Sequence, residues 1–267
     1  MIRVGTSGWV YPPWRKTFYP EGLAQRRELE YISRVLNSVE LNGSFYSLQR
    51  PTSYLKWAEQ TPDDFLFSVK GPRFVTHMKR LVDVDQPLAT FFASGVLALG
   101  PKLGPILWQL PPNLPFDADA LTAFAHLLPR TTTEAAELST GHSDRIADRA
   151  WTTTDAERPI RHALEVRHPS FMTPELPDLL RELDMALVLA DSAGKFPVID
   201  EVTSDFVYAR LHGDTELYTS GYTEEALDSW AERFRARAVD RDVFVYFDND
   251  AKVRAPYDAK GLLDRLL

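Results

Sequence analysis

Eight short, β-prone apolar runs are spaced along the chain, and nearly every one ends in polar or charged residues. The runs are Ile2–Thr6, Ser38–Leu41, Phe65–Val69, Pro105–Leu110, His162–Val166, Ala186–Ala190, Phe206–Leu211 and Val243–Phe247. Stretches that read as helix or loop separate them. Strand alternating with helix eight times predicts an α/β fold, a closed (β/α)8 or TIM barrel. In such a barrel the catalytic groups come from the C-terminal strand ends and the loops that follow them. The polar endings therefore place a site: Ser7 and Trp9, Glu40 and Asn42, Lys70, Gln109, Glu165 with Arg167 and His168, Asp191, Arg210 with His212, and Asp248 with Asn249.

Side chains alternate across a strand, so the terminal inward residue fixes those two positions back. Tyr208, Arg210 and His212 then share one face, opposed by Val207, Ala209 and Leu211, which a helix would cover. Phe244, Tyr246 and Asp248 repeat the pattern, as do Ser38, Glu40 and Asn42. The interior mouth is expected to collect Glu40, Lys70, Glu165, Arg167, Asp191, Arg210, His212 and Asp248. Burying so many charges costs several kcal/mol per ion unless each is paired, so function explains the set better than stability does.

A chain of 267 residues suits one barrel domain spanning 1–267, with an insertion of undefined structure at about 130–160, a Thr-rich and charged stretch. Elsewhere Glu28–Leu36, Thr52–Gln60, Pro87–Leu99 ended by Gly100, Ala118–Leu128 capped by Asp117, Pro174–Leu183, Thr223–Val239 and Asp258–Leu267 read as helices of an outer ring. The net charge of −8 and a pI near 5.3 oppose sequence-independent attraction to nucleic acid or anionic membrane. Absence of cysteine excludes thiolate nucleophiles and Cys-ligated metal centres. The N-terminus runs straight into a strand and no apolar stretch approaches the roughly 18 residues of a membrane span, which predicts a cytoplasmic protein.

Three chemistries fit these residues. Lys70, Arg167 and Arg210 converge from three strands and suit an anionic small-molecule ligand, phosphate or carboxylate, with Glu40, Asn42, His77, Gln109, His168, Trp9 and Tyr46 as further contacts. Glu165, Asp191, His212 and Asp248 end successive strands and form an oxygen-rich set with one imidazole, suited to Mn²⁺ or Mg²⁺. Metal-free acid–base catalysis by Glu165 with Asp191 or His212 is the third, the carboxylate tuned by neighbouring arginines. A non-catalytic barrel that binds a phosphorylated ligand or a protein is the rival to all three. The aromatic and basic loop Tyr11–Tyr19 supports a nucleic-acid phosphodiesterase, against the acidic total charge.

Ordered motifs run nearly end to end: Gly5-Thr-Ser-Gly-Trp9 with Trp14 and Phe18-Tyr-Pro20, Val39-Glu-Leu-Asn42 with Phe45-Tyr46, Thr76-His77, Leu103-Gly-Pro-Ile-Leu with Gln109-Leu-Pro-Pro112, Glu165-Val-Arg-His168, Arg210-Leu-His-Gly213 and Phe247-Asp-Asn-Asp250. Together they resemble the YecE-like family, domain of unknown function 72. The resemblance implies a TIM barrel and brings no established reaction. Where that family typically shows Asn-Asn-Asp after the last strand, this chain has Asp248-Asn249-Asp250. The resemblance thus weakens Asp248 as a metal ligand.

Overall fold

The computed structural model describes residues 1–267. The apolar runs form strands β1 (Ile2–Thr6), β2 (Ser38–Leu41), β3 (Leu66–Lys70), β4 (Leu103–Gln109), β5 (His162–Glu165), β6 (Ala186–Leu187), β7 (Leu189–Asp191), β8 (Phe206–Leu211) and β9 (Asp242–Phe247). Every paired neighbour is parallel, as the long crossovers between them require. Hydrogen bonds join the strands into a four-stranded sheet, β1-β9-β8-β7, and a five-stranded sheet, β2-β3-β4-β5-β6.

The ladder departs from a single closed ring at two seams. The sixth apolar run is interrupted at Val188, whose N–H donates to the Leu164 carbonyl at 2.9 Å. Its first part pairs with β5 and its second with β8. At the other seam β1 and β2 share only the bridge between Ser7 and Glu40. There the Asn37 side chain stands in for backbone, accepting from the Val4 N–H at 2.7 Å and donating to the Ile2 carbonyl at 3.1 Å. Gly5 permits this approach, since a Cβ at that position would lie 2.1 Å from the Ser38 carbonyl oxygen.

The two sheets enclose a common interior. Leu107, Ala163 and Ala186 from one sheet pack with Phe206, Tyr208, Phe244 and Tyr246 from the other. Hydroxyl contacts cross between the sheets, Ser38 Oγ to Tyr246 OH at 2.8 Å and Ser68 Oγ to Tyr208 OH at 2.6 Å. The outward strand faces join the helices in a second, larger apolar layer that includes Val39, Phe67, Trp108, Leu164, Val207 and Val245. Alternation along each strand produces both layers from one sequence pattern.

Asp117 and Thr223 cap their helices, accepting from the Ala120 N–H at 3.0 Å and the Ala226 N–H at 3.1 Å. The helix expected over Pro87–Leu99 is instead Asp85–Ala93, followed by a 3₁₀ segment Val96–Lys102. Gly95 breaks it with φ of +115°, and a Cβ there would come within 2.5 Å of Pro51 Cα in the neighbouring helix Pro51–Gln60. The stretch 130–160 holds a helix, Thr132–Ser139, capped by Thr131, and a 3₁₀ turn, Asp144–Arg149. Threonine's weak helix propensity hides that helix, although threonine makes a good cap. No helix is long and apolar enough to cross a membrane.

Candidate functional site

Strand parity brings a charged cluster to the C-terminal ends of the strands, centred on Arg210 of β8. Its guanidinium is wholly buried and surrounded by acids. Nε donates to Glu40 Oε2 at 3.0 Å and Nη2 to Glu40 Oε1 at 2.9 Å, a bidentate pair. Nη1 donates to Glu165 Oε2 at 2.8 Å, and Nη2 also reaches Asp248 Oδ2 at 3.0 Å and Ser7 Oγ at 3.2 Å. The acids are satisfied in turn. Glu40 accepts from Ser7 Oγ at 2.8 Å and Tyr208 OH at 2.7 Å, while Glu165 accepts from Gln109 Nε2 at 2.9 Å and Arg167 Nε at 2.8 Å. His212 Nδ1 lies 3.1 Å from Asp248 Oδ2.

Electrostatics separates these groups. Burial favours the neutral form of Glu165, but Arg167, Arg210, His212 and Lys70 outweigh it and hold the carboxyl well below its ordinary range. Asp248 is held down at about 2 because Arg210 and His212 overcome its burial. Asp250, two residues on, is pushed up to about 8 by burial and by the Asp248 charge. Their environments thus drive the Asp248 and Asp250 carboxyls to opposite sides of the ordinary carboxylate range.

Lys70 stands apart from the network. Only 7% of it is exposed, yet its ammonium forms no hydrogen bond or ion pair; it sits 4.3 Å from the centroid of the Phe45 ring. Burial and the Arg210 charge lower it to about 8. At the same end of the strands three acceptors, Asn42 Oδ1, Asn249 Oδ1 and Asp250 Oδ1, are buried with no partner in the protein. This end of the strands therefore holds one uncompensated cation and three unmet acceptors, which is uncommon in a settled interior.

A family model described as "Protein of unknown function DUF72" matches residues 3–267. The chain belongs to the DUF72 family. Among curated relatives, the UPF0759 protein YecE of Escherichia coli K12 is 35% identical over 130 residues, 48% of this chain and 45% of YecE, so the match spans about half of each. A DUF72 family protein from Thermotoga maritima superposes with a TM-score of 0.81 at 26% identity, covering 100% of this chain and 99% of that one. Another from Enterococcus faecalis reaches a TM-score of 0.76 at 17% identity, over 100% and 95%. That second likeness shows the fold alone.

In this DUF72 chain the structure gathers Glu40, Lys70, Glu165, Arg167, Arg210, His212 and Asp248 from the set that parity assigns to the mouth, with Gln109 bonded to Glu165, whereas Asp191 of that set is held by Tyr222. Their roles differ from the expectation. Arg210 and Arg167 face acids, leaving Lys70 as the free cation of the proposed three. The proposed ligand set of Glu165, Asp191, His212 and Asp248 does not assemble, and no three acidic or histidine side chains are grouped as metal ligands would be. Arg210 lies between Glu165 and Asp248, and the Asp191 carboxylate instead accepts from Tyr222 OH at 2.8 Å. Glu165 is held as a carboxylate by the cations around it.

Four further candidates also resolve. His168 Nδ1 accepts from the Ser170 N–H at 3.1 Å and caps a 3₁₀ turn, Pro169–Phe171. Trp9 packs edge-on against Trp57 at 5.5 Å between centroids. His77 packs against Phe45 at 5.1 Å and bonds with Thr76, and Tyr46 is 71% exposed. In the loop Tyr11–Tyr19, Trp14, Phe18 and Tyr19 are buried against one another and Arg15 pairs with Glu28 at 2.8 Å, so these rings and this arginine serve packing. Asp250, absent from the expected set, had a signal in the Asp248-Asn249-Asp250 motif.

Proposed function

We propose that this DUF72 protein is an enzyme acting on an anionic, phosphate- or sugar-containing small molecule at the C-terminal mouth of a TIM-type barrel, of which the two sheets are the halves. The observation that carries the reading is Lys70, a nearly buried ammonium with no counter-ion, at the same end of the strands as the partnerless acceptors Asn42 Oδ1 and Asp250 Oδ1. A phosphate or carboxylate supplies the missing charge, and ligand hydroxyls supply the missing donors. Arg210 keeps the carboxylates in place. Asp250 and Lys70, both moved to about 8, are the groups suited to proton transfer near neutral pH.

Titration of wild type with inorganic phosphate and with a panel of sugar phosphates tests the binding step. Lys70→Met is expected to weaken binding roughly 10- to 100-fold, as loss of a charge-assisted contact does. Wild-type binding should decline as pH rises through about 8, because the anion needs the protonated ammonium. Equal affinity in the variant at every pH would refute this role. Asp250→Asn should lower turnover on the panel on the order of 10²–10⁴-fold while sparing affinity. The saturated hydrogen bonding of Glu165 favours a second reading, a non-catalytic binding barrel, and that reading stands if wild type binds but turns over nothing.

A further inference from the structure

A second cavity, of about 740 Å³, opens beside the mouth between the loops after β2 and β3 and the segment 143–149. None of its lining residues is acidic, although the chain carries a net charge of −8. Three arginines line it, Arg73, Arg145 and Arg149, and none takes part in an ion pair, whereas Arg158, Arg161 and Arg167 elsewhere in the chain all do. Large apolar side chains also stand exposed along it: Tyr46 at 71%, Phe74 at 45% and Met78 at 62%. Exposed apolar side chains gathered on one groove, rather than scattered singly, mark ligand and interaction sites. Phe74 and Met78 lie on a π-helical turn, Phe74–Met78, a rare geometry often found at functional sites.

We propose that this groove is a nucleotide-binding site, with phosphate held by Arg73, Arg145 and Arg149 and the base stacked on Tyr46 or Phe74. Guanidinium forks match phosphate oxygens two at a time, and Arg73, from the loop after β3, meets Arg145 and Arg149, which share the 3₁₀ turn Asp144–Arg149, so two distant parts of the chain supply the cluster. The planar base follows from the exposed rings, since stacking on an aromatic face accepts any base. The volume suits one nucleotide and its phosphates. Phe45 lines the groove and also lies beneath Lys70, so the inner end of the groove adjoins the mouth. The shared chemistry is a nucleotide, free or within a single strand.

Calorimetric titration of the whole protein with ADP, with inorganic phosphate and with an eight-nucleotide single-stranded DNA tests the site. ADP or the DNA should bind one per chain, and Arg145→Gln with Arg149→Gln should weaken binding at least roughly 10-fold. Tyr46→Ala should weaken ADP binding roughly 10-fold while leaving phosphate unchanged. These side chains lie outside the apolar layers, so an unaltered melting temperature is expected of each variant. Preference for ADP identifies a free nucleotide, and preference for DNA with a salt slope that falls by about one per arginine removed identifies a single strand. Failure of both probes to bind wild type, or equal binding by the double arginine variant, overturns the proposal.

Discussion

Arg210 directs its N–H donors entirely into the protein, toward Glu40, Glu165, Asp248 and Ser7. It therefore acts as the counter-ion of the mouth. Its replacement should be among the most damaging in the chain: Arg210→Met leaves three carboxylates around an apolar side chain, at a cost of roughly 3–5 kcal/mol, read from the denaturant midpoint. A loss under about 1 kcal/mol would show that the cluster does not need it. Period-two alternation made these neighbours legible in the sequence, because Arg210, Tyr208 and Glu40 each sit on the inward parity of a polar-ended strand. Which cation pairs with which acid was not legible, since pairing is decided by a few ångströms across strands far apart in the chain. That is why Lys70 emerged as the free cation only in three dimensions.

The strands are legible nearly residue for residue where alternation and β-branched or aromatic content agree, as in β8 and β9. The seams are not, and each has a local cause. Val188 turns its N–H to Leu164 and divides one apolar run between two sheets. Gly5 allows β1 to press on β2, and Gly5→Ala should open that seam, since its Cβ would collide with the Ser38 carbonyl at 2.1 Å. We expect a loss of several kcal/mol or insoluble protein, checked by expression and thermal unfolding. The helix break at Gly95 escaped for a related reason: an isolated glycine inside a helical pattern reads as tolerated, and only the crossing with Pro51 shows why the chain must turn there. The groove arginines gave no sequence signal, for Arg73 and Arg145 are distant in the chain and share no motif.

Over the whole molecule the displaced carboxyls set the pH response. Glu165 and Asp248 are held below their ordinary values, so their contribution is present above about 4 and is lost as pH falls toward 2. Asp250 has the opposite sign. Raised to about 8, it retains a proton that the unfolded chain has released, so stability declines as pH rises from about 4 to about 8. Lys70, lowered to about 8, returns stability above that pH, where the folded chain has lost a proton that the unfolded chain still holds. Asp250→Asn should flatten the decline between pH 4 and 8, measured as unfolding free energy across that range, and an identical slope in the variant would refute the assignment.

The carboxylates of Glu40 and Glu165 belong to the five-stranded sheet, whereas Arg210 belongs to the four-stranded one, 45 residues after Glu165 in the chain. On the ribosome the five-stranded sheet is thus made first, carrying two acids whose shared partner has not yet emerged. Dry burial of those acids is unfavourable until Arg210 arrives. Arg167 already meets Glu165 within the earlier segment, but Glu40 has only Arg210 as an ion-pair partner, so sealing of the inner face is expected to wait for the C-terminal strands.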